Sequence, residues 1–220
     1  MKTLIVAPHP DDEVLGAGGT LLRRKMEGAS IGWLIMTGIS VENGWSAEKV
    51  MQRKREIEQI GDLFGFDSVF ELDFPTTQLD RIPMSELVDA ISRVIKSYEP
   101  NEIFIPHRSD IHSDHRITFD SVASCTKWFR NPSVKHVLSY ETLSETEFSF
   151  SPNQSFNPNF FINIEGHLEG KLQAMNIYSS EMGDFPFPRS NEAISALATF
   201  RGSCSGFKVA EAFELLLEID

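Results

Sequence analysis

Apolar residues fall along the first half of the chain in two alternating patterns. Short apolar runs occur at residues 3–7 (TLIVA), 30–37 (SIGWLIMT) and 102–106 (EIFIP), and a further short strand is expected near 68–74 (SVFELDF). Runs of this length without polar alternation predict strands buried on both faces, as in a parallel sheet. Between them the period lengthens. In residues 84–98, Met84, Leu87, Val88, Ile91, Val94, Ile95 and Tyr98 follow the i, i+3, i+4, i+7 spacing of an amphipathic helix, with Pro83 where a first-turn proline is tolerated. Helices are also predicted over 12–26, over 46–64 with Gly65 as stop, and over 114–129. The β-α-β-α-β-α-β order implies an α/β fold, a Rossmann-like and mainly parallel sheet with helices on both faces.

Beyond residue 130 the pattern is less regular. Residues 134–141 and 160–164 are expected as strands, 148–159 as a loop rich in Ser, Asn, Pro and Phe, and 167–179 and 207–217 as helical. The expectation is one domain over 1–220, with the Rossmann-like core in 1–130 and a C-terminal part, 131–220, that completes the pocket. No repeat or low-complexity tract interrupts it.

Composition narrows the function classes. At 220 residues, 41% hydrophobic and 24% charged, the chain has the make-up of a soluble globular domain. A net charge of −12 disfavours nucleic acid and anionic membrane surfaces, which need concentrated Lys and Arg. No apolar run reaches the roughly 18 residues of a membrane span, and the N-terminal run is too short for a signal peptide, so a cytoplasmic location is expected. Cys125 and Cys204 stand far apart without a ligand spacing, so reduced thiols are expected.

The chemistry is concentrated at two strand ends. His9-Pro10-Asp11-Asp12-Glu13 follows the first strand, and Pro106-His107-Arg108-Ser109-Asp110-Ile111-His112-Ser113-Asp114-His115 follows the fourth. Ligands of such sheets bind outside the carboxyl ends of the strands, so both clusters can meet at one edge. A helix N-terminus accounts for one acid after a strand, but three adjacent carboxylates repel unless a cation lies among them. His9 and Asp12 with one histidine of the second cluster supply the three protein ligands of a catalytic metal site. A remaining carboxylate can take a proton from water and a remaining histidine can stabilise an oxyanion. The glycines of Gly16-Ala17-Gly18-Gly19-Thr20 lack the dinucleotide-binding spacing, begin inside the helix and are read as close helix packing. His107 is read as a loop hydrogen bonder, and isolated His136 and His167 as structural or exposed.

These two motifs together resemble the paired signature of the PIG-L/LmbE-like family of zinc-dependent N-acetylglucosaminyl deacetylases. Arg53-x-x-Glu56 with Phe64-Gly65, Tyr140-Glu141, and the tail Arg201-Gly202, Gly206 and Ala210-Glu211-Ala212-Phe213 extend the likeness along nearly the whole chain. The resemblance implies that His9, Asp12 and His115 hold zinc, or another divalent transition metal. It implies Asp11 as general base, His112 as oxyanion stabiliser tuned by Asp114, Arg53 as a substrate contact and Glu13 as an orienting group. The implied activity is hydrolysis of an N-acetyl or other N-acyl group from a small-molecule sugar or sugar conjugate. The alternative is a non-catalytic metal-containing protein of the same fold that binds a ligand or partner. Two positions depart from the family pattern: Asp110 stands where some members have tyrosine, and Pro75-Thr76 where many have Pro-Asp.

Overall fold

The computed structural model describes residues 1–150 and 154–220. The expected loop over 148–159 includes residues 151–153, which lie outside the described residues. Strands β1 (Lys2–Ala7), β2 (Ser30–Gly38), β3 (Ser68–Pro75), β4 (Glu102–Pro106), β5 (His136–Tyr140), β6 (Phe160–Asn163) and β7 (Ala210–Glu218) form one sheet in the order β3-β2-β1-β4-β5-β7-β6. Strands β1 to β5 pair in parallel, and β7 runs antiparallel to both of its neighbours. Helices α1 (Asp12–Met26), α2 (Ala47–Phe64), α3 (Met84–Tyr98), α4 (Ser113–Cys125), α5 (Leu168–Ile177) and α6 (Asn191–Ser205) cover it.

Both faces of β1, β2 and β4 are buried, which is why their sequences read as apolar runs, whereas the edge strand β3 alternates half-buried and exposed positions. Ile5 and Ala7 of β1 enter one core with Leu15 and Leu21 of α1 and Ile60 and Phe64 of α2. Leu4 and Val6 enter the other with Leu87, Ile91 and Ile95 of α3. The period of two along the strand thus feeds two separate cores. Helix α2 is stopped as expected at Gly65, whose φ of 60° suits a residue without a Cβ.

The C-terminal part departs from expectation. Residues 207–217, expected as helix, are mostly strand β7, and the helix is α6, which ends immediately before them. Leu215, Leu216 and Leu217 beside Glu211, Glu214 and Glu218 favour helix by propensity, but pairing on both edges with β5 and β6 overrides it. Helix α4 stops at Cys125 instead of 129, where the Asn131 side-chain amide donates to the Cys125 carbonyl over 2.6 Å. Among the described residues, no helix is long and apolar enough to cross a membrane.

Helix α1 is fixed with little freedom. A Cβ on Gly16 would lie 2.1 Å from the Tyr140 ring, so the glycine permits the contact between α1 and β5. Tyr140 in turn donates its hydroxyl to the Val6 carbonyl over 2.8 Å. Deeper in the same interface, Lys171 of α5 donates to the Leu15 carbonyl (2.8 Å) and to Glu211 of β7 (2.6 Å). Glu211 accepts from the amides of Gly19 and Thr20. This buried pair clamps α1 between α5 and β7, and removing one partner of such a pair costs about 3–5 kcal/mol.

Candidate metal centre and its cleft

The chain leaves β1 to build β2 and β3 on one side and then returns to build β4 on the other. At this reversal the loops after β1 and β4 diverge and open a crevice at the carboxyl ends of the strands. His9 follows β1, and the segment from His107 to His115 follows β4 into the first turn of α4.

One potential ligand atom each from His9, Asp12 and His115 lies within 4.8 Å of the other two, and a second such group comprises His9, His112 and Asp114. Asp12 Oδ2 stands between two imidazoles, 3.2 Å from His9 Nδ1 and 3.3 Å from His115 Nε2. Each of these histidines is held from its far side by a carboxylate. His9 Nε2 meets Asp114 at 3.0 Å, and His115 Nδ1 meets Asp110 at 2.8 Å. Asp110 also accepts from Thr146 Oγ1, and Asp114 accepts from the amides of Thr77 and Leu79. A carboxylate behind an imidazole fixes its tautomer and presents the other nitrogen to a cation.

The donor set fits a divalent transition metal: two neutral-capable imidazoles and one carboxylate, convergent, with Asp12 and His115 buried and His9 partly open to the cleft. Protonation preferences point to the same deficit of positive charge. Burial opposes a charge on His9, but hydrogen bonds to Asp114 and Asp12 outweigh it and raise the imidazole to about 9. Burial likewise opposes charge on His115, and Asp12 and Asp110 reverse it, holding that ring well above its usual range. A bound cation would replace those protons.

Asp11 is the N-cap of α1, at a φ of 134° that L-residues rarely adopt. Its amide donates to Glu13 Oε2 at 3.1 Å, and the other Glu13 oxygen accepts from Tyr178 at 2.8 Å. Glu13 therefore orients the loop that carries Asp11. Burial and the Asp12 charge raise Asp11 to about 7, against the opposing pull of Arg189, whose Nη1 is 2.7 Å from Asp11 Oδ2. A carboxyl poised near neutrality is suited to taking and returning a proton.

His112 is the N-cap of α4, its Nδ1 accepting from the Asp114 amide at 3.1 Å. That bond leaves the ring hydrogen on Nε2, facing the cleft as a donor. Burial and the His9 and His115 charges lower His112 to about 4, so it is a neutral donor. The Asp114 carboxylate hydrogen-bonds His9 while its backbone amide meets His112, and its charge also acts on the His112 ring, opposing the lowering by burial. The amides of Thr77 and Leu79 hold that carboxylate in place.

Arg53 lines the cleft but is already engaged. It donates to the Pro10 carbonyl at 2.7 Å and to Glu181, and its Nε lies 3.3 Å from Glu56. It braces the loop that carries Asp11 from below. Glu181 joins Arg53 to Arg189, and Arg189 reaches Ser144 as well. Neither Arg189 nor Glu181 was marked by the sequence: each is a lone charge in an irregular segment, 178 and 170 positions from Asp11 respectively. His107 proves a loop hydrogen bonder, meeting the Gln154 carbonyl at 3.1 Å and Glu214 at 3.2 Å. From this floor a cleft of about 690 Å³ opens outward between α2 and the end of β3.

Fold and site together define a class, an open α/β sheet with a histidine-aspartate group at its switch point that could hold a metal ion. The family model described as PIG-L, GlcNAc-PI de-N-acetylase, matches residues 4–126, and the chain belongs to that family. A diacetylchitobiose deacetylase of Thermococcus kodakarensis is 24% identical over 228 residues, covering 98% of this chain and 83% of its own. Among solved structures, the conserved protein TT1542 from Thermus thermophilus superposes with a TM-score of 0.80 at 27% identity, covering 99% of this chain and 96% of its own. GalB, the 4-carboxy-2-hydroxymuconate hydratase from Pseudomonas putida KT2440, shares the fold at a TM-score of 0.74 and 18% identity, with 100% of this chain and 98% of its own covered.

Proposed function

We propose that this chain is a zinc-dependent deacetylase that removes an N-acetyl group from a sugar or sugar conjugate, yielding acetate and a free amine. The observation that carries this reading is the convergence of His9, Asp12 and His115 beside Asp11 in one buried cleft floor. Membership of the de-N-acetylase family and the likeness to a diacetylchitobiose deacetylase support the sugar substrate.

His9, Asp12 and His115 would hold the ion, with Asp114 and Asp110 orienting the two imidazoles. When bound, a divalent ion such as zinc acidifies a water and polarises an amide carbonyl. Asp11 takes a proton from the attacking water and returns it to the amide nitrogen as the C–N bond breaks. His112 donates its Nε2 hydrogen to the carbonyl oxygen as that oxygen gains charge. Its lowered basicity suits hydrogen-bond donation and leaves proton transfer to Asp11. Arg189 holds the Asp11 carboxylate in place, and Arg53 holds the Pro10 carbonyl on the same loop.

The test is release of primary amine from a panel of N-acetylated sugars by protein stripped with a chelator and then given zinc. Zinc-restored release is expected. Silence across the panel with zinc bound would favour a metal-containing binding protein instead. Hydration of an unsaturated acid by the loaded protein would favour chemistry like that of GalB, whose fold it shares.

A further inference from the structure

The outer wall of the cleft carries two residues to which the reaction assigns no task. Trp45, half-buried in the loop between β2 and α2, lines the cleft from one side, with the Lys49 ammonium 5.4 Å from its ring centre. Asp73 of β3 lines it as well.

Asp73 is unusual in three respects. Its φ is 54°, in the left-handed region that favours glycine, although it belongs to a strand. The pairing of β2 with β3 shifts register beside it, between Ile35 and Thr37. A Cβ on Gly38 would meet Asp73 Oδ1 at 2.8 Å, so the carboxylate occupies space that only a glycine leaves open. Backbone strain of this kind persists where the surroundings enforce it and clusters at ligand sites. Unlike Asp11, Asp12, Asp110 and Asp114, the Asp73 carboxylate has no hydrogen-bond or ion-pair partner among the described residues. It is an acceptor facing a cleft without a donor.

Arg53 and Arg189 are neutralised by Glu181, Glu56 and Asp11, and Glu71 stands beside Asp73 on the same strand, its carboxyl raised by burial and then by Asp73. Lys49 and Lys54 line the same wall, Lys49 against the Trp45 ring and Lys54 acting on Glu71, so hydroxyls meet both acceptors and donors there. An indole and a carboxylate lining one cleft match a pyranose, which has an apolar C–H face and a hydroxyl rim.

We propose that Trp45 and Asp73 form a saccharide subsite outside the hydrolysed amide, the indole stacking on a sugar ring and the carboxylate accepting from its hydroxyls. The subsite rests on the deacetylase reading and narrows its substrate class to glycans with a sugar ring beyond the N-acetylated one.

The experiment is steady-state kinetics of the zinc-loaded protein on N-acetylglucosamine, N,N′-diacetylchitobiose and UDP-N-acetylglucosamine, with Trp45→Ala, Asp73→Asn and Asp73→Gly. The wild type is expected to favour the disaccharide in kcat/KM. Trp45→Ala and Asp73→Asn should each raise its KM by about tenfold at unchanged kcat, the pattern of lost binding away from the reacting atoms. Both should leave the monosaccharide unaffected. Asp73→Gly should match Asp73→Asn in KM while melting no lower than the wild type, because glycine relieves the strain. Unchanged disaccharide KM in both variants would overturn the subsite alone. No turnover by the wild type on any of the three would remove the deacetylase reading beneath it as well.

Discussion

The floor and the outer wall of the cleft are built on opposite principles. On the floor, His9, Asp11, Asp12, Asp110, Asp114 and His115 are each engaged by another protein group, and each carboxylate is buried. On the wall, Asp73 is exposed and without a hydrogen-bond partner among the described residues, and Trp45 stands half-buried beside the Lys49 side chain. A site that must hold a cation and time a proton transfer needs preorganised groups, since reorganisation during the reaction raises the barrier. A site that selects a substrate needs groups that remain unsatisfied until it arrives.

The contrast can be broken from the floor upward. The largest effect is expected for His115→Ala, which removes an imidazole from the three-residue set. Zinc affinity should fall by more than the roughly 100-fold that loss of an outer carboxylate costs, with amine release lost, as metal analysis after dialysis would show. Asp110→Asn and Asp114→Asn leave the ligands in place but loosen one imidazole each. Each should weaken zinc binding about 10- to 100-fold by competition with a chromogenic chelator. If Asp114 served His112 instead of His9, its substitution would leave zinc affinity unchanged.

Lys171→Met strands Glu211 in the α1–α5–β7 interface and should lower stability by about 3–5 kcal/mol in urea unfolding. Gly16→Ala forces a Cβ against Tyr140 and should cost about 1–3 kcal/mol by the same measurement. A smaller effect separates Arg189 from the metal set. Arg189 holds the Asp11 carboxyl down against burial, so Arg189→Met raises it further. The base must be ionised to act, so the acidic limb of the kcat/KM profile should move to higher pH, while zinc affinity stays within a factor of two or so of the wild type. Smallest of all on the floor should be the wall variants Trp45→Ala and Asp73→Asn, which leave zinc affinity where it was.

The two regions also differed in how far the sequence disclosed them. The floor was legible because its residues sit in two short segments directly after strands, and chemistry that needs adjacent acids and histidines leaves a dense local pattern. The parallel half was legible for a related reason: its inner strands β1, β2 and β4 are buried on both faces and so are apolar at nearly every position. Asp110 was visible as part of the cluster, but its partnership with His115 emerges only from the turn that sets Nδ1 beside it. Arg189 and Glu181 arrive from an irregular segment after α5, where no period exists to read. Strand β7 was misread because its leucines and glutamates suit a helix, and only pairing with β5 and β6 decides otherwise. Asp73 looked like an ordinary strand residue, since a left-handed backbone angle has no signature when the residue is not glycine.

The central claim is that Asp11 moves the proton at a metal site it does not itself hold. Its most direct test is amine release from an N-acetylated sugar by wild type and Asp11→Asn at matched, measured zinc content. The account predicts equal zinc occupancy and a rate lower by about 10²- to 10⁴-fold in the variant, the span that general-base catalysis contributes. Equal rates at equal zinc would contradict it, and loss of zinc from the variant would move Asp11 into the ligand set.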